Sequence, residues 1–139
     1  MSAGKQEHRQ PRKEGVLRGG NGEFIFKLDE LPSRASKVGY TSPVIEGERM
    51  QVSLVTKTKC NGVRRPHTHP NEQWNYIVKG TLKVKIGDQP EQICGPGTLL
   101  YFPANVVHST APMPDDDVVF FAVKDKSQGM FENTPAQDQ

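Results

Sequence analysis

Short segments in which apolar and polar residues alternate follow one another along the chain from Met50 onward. Between residues 82 and 86, for example, Leu82, Val84 and Ile86 alternate with lysines, a period of two that is typical of a strand with one buried face. Turn-forming residues separate these segments, and no apolar stripe with helical spacing competes with them. The pattern predicts strands over residues 50–57, 73–78, 81–86, 91–94, 98–102, 106–110 and 118–123.

The first third of the chain has a weaker pattern. Residues up to about Gly22 show no periodicity, and residues 29–48 are rich in Pro, Ser and Gly, which indicates loops and one short strand at residues 44–45. Residues 24–28 are either a first strand or a docking segment. Many short strands with regular turns predict one all-β sandwich or barrel. We place it at residues 23–125, between a flexible basic arm (1–22) and a polar tail (126–139).

Length and charge narrow the classes of partner. A chain of 139 residues is the size of one domain, and a net charge of +2 gives no general argument for binding nucleic acid. The basic residues of the arm are interpreted as a solvated tail. No apolar run is long enough for a signal peptide or a membrane span, so we predict a cytoplasmic protein with no membrane partner. In that compartment Cys60 and Cys94 are predicted to be free thiols.

Three of the four histidines lie in two short segments, His67-Thr-His69 and His108. Because side chains alternate along a strand, His67 and His69 point to the same side. The same parity brings three carboxamides to that face, those of Asn71, Gln73 and Asn75. Two imidazoles and a carboxamide on one face, with a third imidazole from a separate strand, can chelate one divalent ion. The sequence therefore predicts a metal site across the two segments.

Both segments resemble the conserved motifs of one family, the cupins. The stretch GVRRPHTHPNEQWNYIVKG (62–80) resembles the first motif, and GTLLYFPANVVH (97–108) resembles the second. The resemblance implies a single double-stranded β-helix, or jelly-roll, barrel. It also implies a homodimer, for which residues 24–31 are a candidate exchanged segment; the alternative is that they cover an edge of their own barrel. In this family the metal ligands correspond here to His67, His69, Gln73 and His108.

Two departures from the family pattern affect the interpretation. Gln73 stands where Glu is commonest, so the ion would keep its full positive charge and act as a stronger Lewis acid. Asn105 replaces a usual Gly, and Asn is the residue that best tolerates a left-handed turn in place of Gly. The ion itself is predicted only as one divalent transition metal, either Fe, Mn, Ni or Zn.

Three functions are consistent with such a site. The first is a metal-dependent isomerase or lyase acting on a small carboxylate-bearing carbonyl compound by Lewis-acid chemistry. The second is a non-haem iron dioxygenase of a diketone or an aromatic diol, and the third is a cupin that binds a small molecule without turnover. We predict that Arg64 or Arg65 binds the substrate carboxylate. Alternation along the strand points Arg65 inward, whereas a bulge at Pro66 would point Arg64 inward instead. Arg64 is also part of a resemblance to oxalate decarboxylases.

The general acid and base are not identified by the sequence. Glu72, Tyr76 and Tyr101 are the titratable residues nearest to the ligands in sequence, but parity puts Glu72 and Tyr76 outside the ligand face. Trp74 and Tyr76 are therefore interpreted as wall or dimer-contact residues.

Overall fold

The computed structural model describes residues 16–36, 39–59, 66–126 and 134–135. These residues form strands and one 3-10 helix, Leu28–Glu30. The strands are β1 (Val16–Arg18), β2 (Arg34–Ser36), β3 (Gly39–Thr41), β4 (Val44–Glu46), β5 (Met50–Lys57), β6 (His67–Thr68), β7 (Gln73–Lys79), β8 (Leu82–Ile86), β9 (Gln92–Cys94), β10 (Leu99–Phe102), β11 (His108–Pro112), β12 (Val118–Asp125) and β13 (Thr134–Pro135). None of the helical structure in these ranges has the length and apolar character needed to cross a membrane.

Two sheets make up the domain. The larger has the order β1-β4-β5-β12-β7-β10, with β2 and β3 attached through β5, and the smaller has the order β13-β6-β11-β8-β9. Inward side chains from both sheets form a single apolar core that consists of Val55, Ile77, Leu82, Val84, Leu100, Phe102, Val118 and Phe120. The molecule is therefore an all-β jelly-roll, which confirms the predicted fold class.

The strands from Met50 onward agree with the alternation pattern, apart from one-residue shifts at the ends of four strands, the additional strand β6, and two larger differences. β11 begins at His108 rather than at residue 106, because the N–H of Val106 donates to the carbonyl of Pro103 in a turn and its carbonyl accepts from the His108 ring. β12 continues past Val123 to Asp125, since its last two residues still pair with the start of β5. Both differences concern strand ends, which side-chain alternation defines poorly.

The first third of the chain contains more strands than predicted. Val16–Arg18, assigned to the flexible arm, pairs in parallel with β4 and buries Val16. β2 and β3 form a hairpin within the predicted loop, and β4 confirms the short strand at residues 44–45. Residues 24–27 form no strand, and the 3-10 helix begins at Leu28. Phe24 and Ile25 in this segment are 78% and 81% exposed.

Some sequence predictions fall on residues outside the described ranges. These include most of the basic arm, Cys60, and both candidate arginines, Arg64 and Arg65. The predicted polar tail includes β13, which pairs with β6. Of the two cysteines, Cys94 is a free thiol.

Candidate metal centre

Three of the four predicted ligands meet at the ends of β6 and β11. His67 opens β6 and is the register partner of His108, the first residue of β11, while His69 follows directly after β6. The ring centroids of His67 and His108 are 4.4 Å apart, and the His69 ring lies 5.0 Å from that of His108. One nitrogen from each ring lies within 4.8 Å of the others, so the three imidazoles could hold a metal ion.

Backbone carbonyls fix the orientation of two of these rings. The Nδ1 of His69 lies 2.8 Å from the carbonyl oxygen of Asn71, and the Nδ1 of His108 lies 3.0 Å from that of Val106. A carbonyl only accepts hydrogen bonds, so each Nδ1 carries the proton and each Nε2 keeps its lone pair. The Nε2 of His69 is buried and has no hydrogen-bond partner in the described part of the chain. A buried acceptor of this kind is costly unless it is paired, and a divalent cation would pair it.

The environment also keeps these imidazoles neutral. Burial, reinforced by the charge of Lys124, lowers the pKa of His69 below its usual 6.5. Burial lowers the pKa of His108 to about 4. Because the neutral imidazole is the form that binds a metal, protons do not compete for these two side chains near neutral pH.

The fourth predicted ligand, Gln73, is held beside the histidines. Its Nε2 donates a 2.8 Å hydrogen bond to Oδ1 of Asn75, and its side chain lies close enough to His69 to influence the pKa of that ring. With the amide nitrogen turned to Asn75, the amide oxygen is the atom left for a cation. Asn71, which is fully buried, instead donates 2.8 Å to the backbone carbonyl of Asp125 and ties the histidine loop to β12.

A cavity of about 200 Å³ opens beside the histidines in the barrel. His67, Gln73 and His108 contribute to its wall, and apolar side chains of the core form another part. Two lysines, Lys57 and Lys124, also line it, and sequence analysis did not single out either of them. The signal was present, because Lys57 and Lys124 continue the inward alternation of β5 and β12.

The outer face of the same sheet carries the residues that parity placed away from the ligands. Trp74 and Tyr76 are 42% and 46% exposed, and the Trp74 ring packs against that of Tyr101 with centroids 4.4 Å apart. Tyr101 donates a 2.7 Å hydrogen bond to Glu72, which raises the pKa of the tyrosine. None of these four side chains lines the cavity.

Comparisons with known proteins agree with this architecture. The family model for the cupin domain matches residues 56–124. The oxalate decarboxylase OxdC of Bacillus subtilis is 28% identical over 92 residues, which cover 60% of this chain and 24% of that protein. The chain thus spans about a quarter of the length of this curated relative.

Solved structures show the same fold. The polyketide cyclase RemF from Streptomyces resistomycificus superimposes with a TM-score of 0.67 at 16% identity, over 83% of this chain and 86% of RemF. A structure of the DMSP lyases RdDddP and RnDddQII gives a TM-score of 0.63 at 15% identity, over 77% of this chain and 63% of that chain. An oxalate decarboxylase from Lactobacillus farciminis, solved with formate, gives 0.65 at 19% identity, over 81% and 36%.

Proposed function

The chain belongs to the cupin superfamily, and on that premise we propose that it is a metal-dependent isomerase or lyase of a small carboxylate-bearing carbonyl compound. The observation that carries the proposal is the cluster of three imidazoles beside a cavity of about 200 Å³. In two of them a backbone carbonyl holds the Nδ1 proton, which leaves the Nε2 lone pair for a metal. The relatives include proteins described as a decarboxylase, lyases and a cyclase, which supports metal-type cupin chemistry in general.

The donor set favours Lewis-acid chemistry over redox chemistry. We propose His67, His69, His108 and the amide oxygen of Gln73 as ligands, a set without a carboxylate. A divalent ion bound there would polarise a substrate carbonyl and stabilise the negative charge that develops on its oxygen. The ion would be one of Fe, Mn, Ni or Zn, because imidazole ligands suit Fe, Ni and Zn and an amide oxygen suits Mn.

The residues of the chain provide position and a dry environment. The hydrogen bonds of His69 and His108 hold the donor atoms before any ion binds, which reduces the cost of assembling the site. Phe102 and Phe120 line one side of the cavity and exclude water from it. Because the dielectric constant is low there, charge interactions between the metal centre and a bound substrate would be stronger than in water. Arg64 or Arg65 is the candidate that the sequence offers for binding the substrate carboxylate.

Elemental analysis tests the metal centre. The untagged protein is compared with His67→Ala and His108→Ala, and with His8→Ala as a control that removes the histidine outside both motifs. About one equivalent of metal is expected in the parent and the control, and much less in the other two variants. A parent that neither contains metal nor takes it up on incubation with zinc or manganese would contradict the proposal and leave a small-molecule-binding protein.

Activity then separates the two enzyme classes. Turnover of carbonyl acids without oxygen and with several divalent ions would support an isomerase or lyase. Strict dependence on iron with oxygen uptake would instead assign the chain to dioxygenases of a diketone or an aromatic diol. Gln73→Glu should lower Lewis-acid activity, because a carboxylate ligand partly neutralises the ion, and unchanged activity would refute the argument from ligand charge.

We also propose that the protein acts as a cytoplasmic homodimer. The outer face of β7 and β10 exposes Trp74, Tyr76 and Leu99, and Phe24 and Ile25 protrude from the N-terminal segment. An apolar surface of this kind is typical of a face that is covered in the assembly. Light scattering should give twice the chain mass, and Trp74→Asp should shift it toward the monomer. A monomeric parent at micromolar concentration would refute the dimer.

A further inference from the structure

We propose that Lys124, in place of the candidates Arg64 and Arg65, binds the carboxylate of the substrate inside the barrel, so that the cavity takes a small anion held between this ammonium group and the metal centre. The inference deepens the proposed function and rests on it for the role of the metal. The described residues show a cationic side chain beside the predicted ligands, a cavity wall without Asp or Glu, and a cavity of about 200 Å³. The carboxylate of Asp125, outside that wall, attracts Lys124 but offsets only part of the effect of burial on its pKa.

Lys124 reaches the cavity from the strand next to the predicted amide ligand. In β12, Phe120, Ala122 and Lys124 all line the cavity, as the alternation of a strand requires. Lys124 is the register partner of Gln73 on one side and of Gln51 on the other. Its charge acts on both His69 and His108, whose pKa values it helps to lower. The ammonium group therefore faces the same space as the histidines.

The ammonium group of Lys124 has no hydrogen bond or ion pair to any residue within the described ranges. Asp125, the next residue, points to the other face of the strand, where its Oδ2 accepts a 2.6 Å hydrogen bond from the backbone N–H of Glu72. Burial lowers the pKa of Lys124. A desolvated cation is stabilised best by an anion that enters with the ligand.

The second lysine of the cavity has a different role. Lys57 donates hydrogen bonds of 3.1 and 2.6 Å to the carbonyl and hydroxyl oxygens of Thr110, and so joins β5 to β11. It adds positive charge to the wall while serving as a structural link. No Asp or Glu is among the described residues that line the cavity, so the wall as a whole favours an anion.

The cavity has room for a small anion. At about 200 Å³ it can hold a short carbonyl acid with its carboxylate at Lys124 and its carbonyl oxygen at the histidines. The predicted substrate class is therefore a short carbonyl acid whose carboxylate is separate from the group at the metal.

The test uses pairs of probes with the same shape and different charge. Malonamate and succinamate are titrated by calorimetry beside their uncharged diamides, malonamide and succinamide, into zinc-loaded and metal-free protein. A hydrogen-bonded charge pair should make at least one carboxylate probe bind about tenfold more tightly than its diamide. The preference should fall to less than about threefold in Lys124→Met. It should persist in Lys83→Met, which removes an exposed lysine on β8, and the zinc content should be equal in all three proteins.

Each result decides between the two proposals. Equal preference in the parent and Lys124→Met would overturn the role of Lys124 and leave the metal centre standing. If the parent protein binds no zinc, the metal-enzyme proposal is overturned. If that protein still prefers the carboxylate probes, the anion site at Lys124 is supported independently. If Lys124→Met fails to fold, Lys124→Arg must keep the preference for the carboxylate probe and Lys124→Gln must lose it; any other pattern overturns the proposal.

Discussion

Burial of His108 should make the metal-free protein sensitive to acid. Its pKa is lowered from 6.5 to about 4, so the unfolded chain binds a proton in a pH range where the folded protein does not. The associated stability is present above about pH 6.5, is lost progressively as the pH falls, and is fully lost below about pH 4. At about 1.4 kcal/mol for each pKa unit, the difference corresponds to roughly 3 kcal/mol. The residue is 4% exposed, so solvent screening does not reduce this value much.

His108→Asn isolates this contribution. The Asn side chain can still donate a hydrogen bond toward the carbonyl of Val106, but it does not titrate. Urea unfolding of metal-free protein at pH 7.0 and pH 4.5 should show that the parent loses about 2 to 3 kcal/mol more than the variant over this interval. Other groups contribute equally to both proteins and cancel in the comparison. Equal losses in the two proteins would refute the lowered pKa of His108.

Five further substitutions, at four positions, test the backbone and the core by urea unfolding at pH 7. Gly80→Ala should lower the free energy of unfolding by more than about 3 kcal/mol, because φ is +83° and the new Cβ would clash with the Asp117 carbonyl. Gly97→Ala, at φ +87° with open space around it, should lower it by about 1 kcal/mol. Equal losses in the two variants would contradict the steric argument. Asn105, at φ 65°, should tolerate Gly within about 0.5 kcal/mol and lose about 1 with Ala. Phe102→Ala should cost about 3 to 5 kcal/mol, since the residue is 1% exposed, and a loss below about 1 would contradict its place in the core.

Strand alternation made the fold and much of the site predictable from the sequence. A period of two assigns each residue of a half-buried strand to one face, so a correct strand prediction also predicts the side on which each side chain lies. Asn71 and Asn75 are buried, whereas Glu72, Trp74 and Tyr76 are exposed, as parity predicted. The left-handed conformation of Asn105 likewise follows from the tolerance of Asn for positive φ.

The short strands of the first third were not predictable by the same argument. β1, β2 and β3 each have three residues, fewer than the pattern needs to repeat. Their stability comes from pairing with other strands, β1 with β4 and β3 with β5, and depends on tertiary contacts that no local window contains. Val16, for example, is buried where β1 pairs with β4.

The lysines of the cavity show a different limit of sequence reasoning. A lysine at the end of a strand is usually solvated, so the inward parity of Lys124 was not used, although it follows from Phe120 by the same rule that placed Gln73 beside the histidines. Strand parity points Lys124 into the barrel, whereas lysine side chains usually lie in solvent, and a residue that breaks the second rule is a candidate for a functional role. A cation retained on the inner face of a barrel, without a carboxylate in the described wall, destabilises the empty protein and stabilises only a complex with an anion. We therefore expect the ligand of this barrel to bind at Lys124.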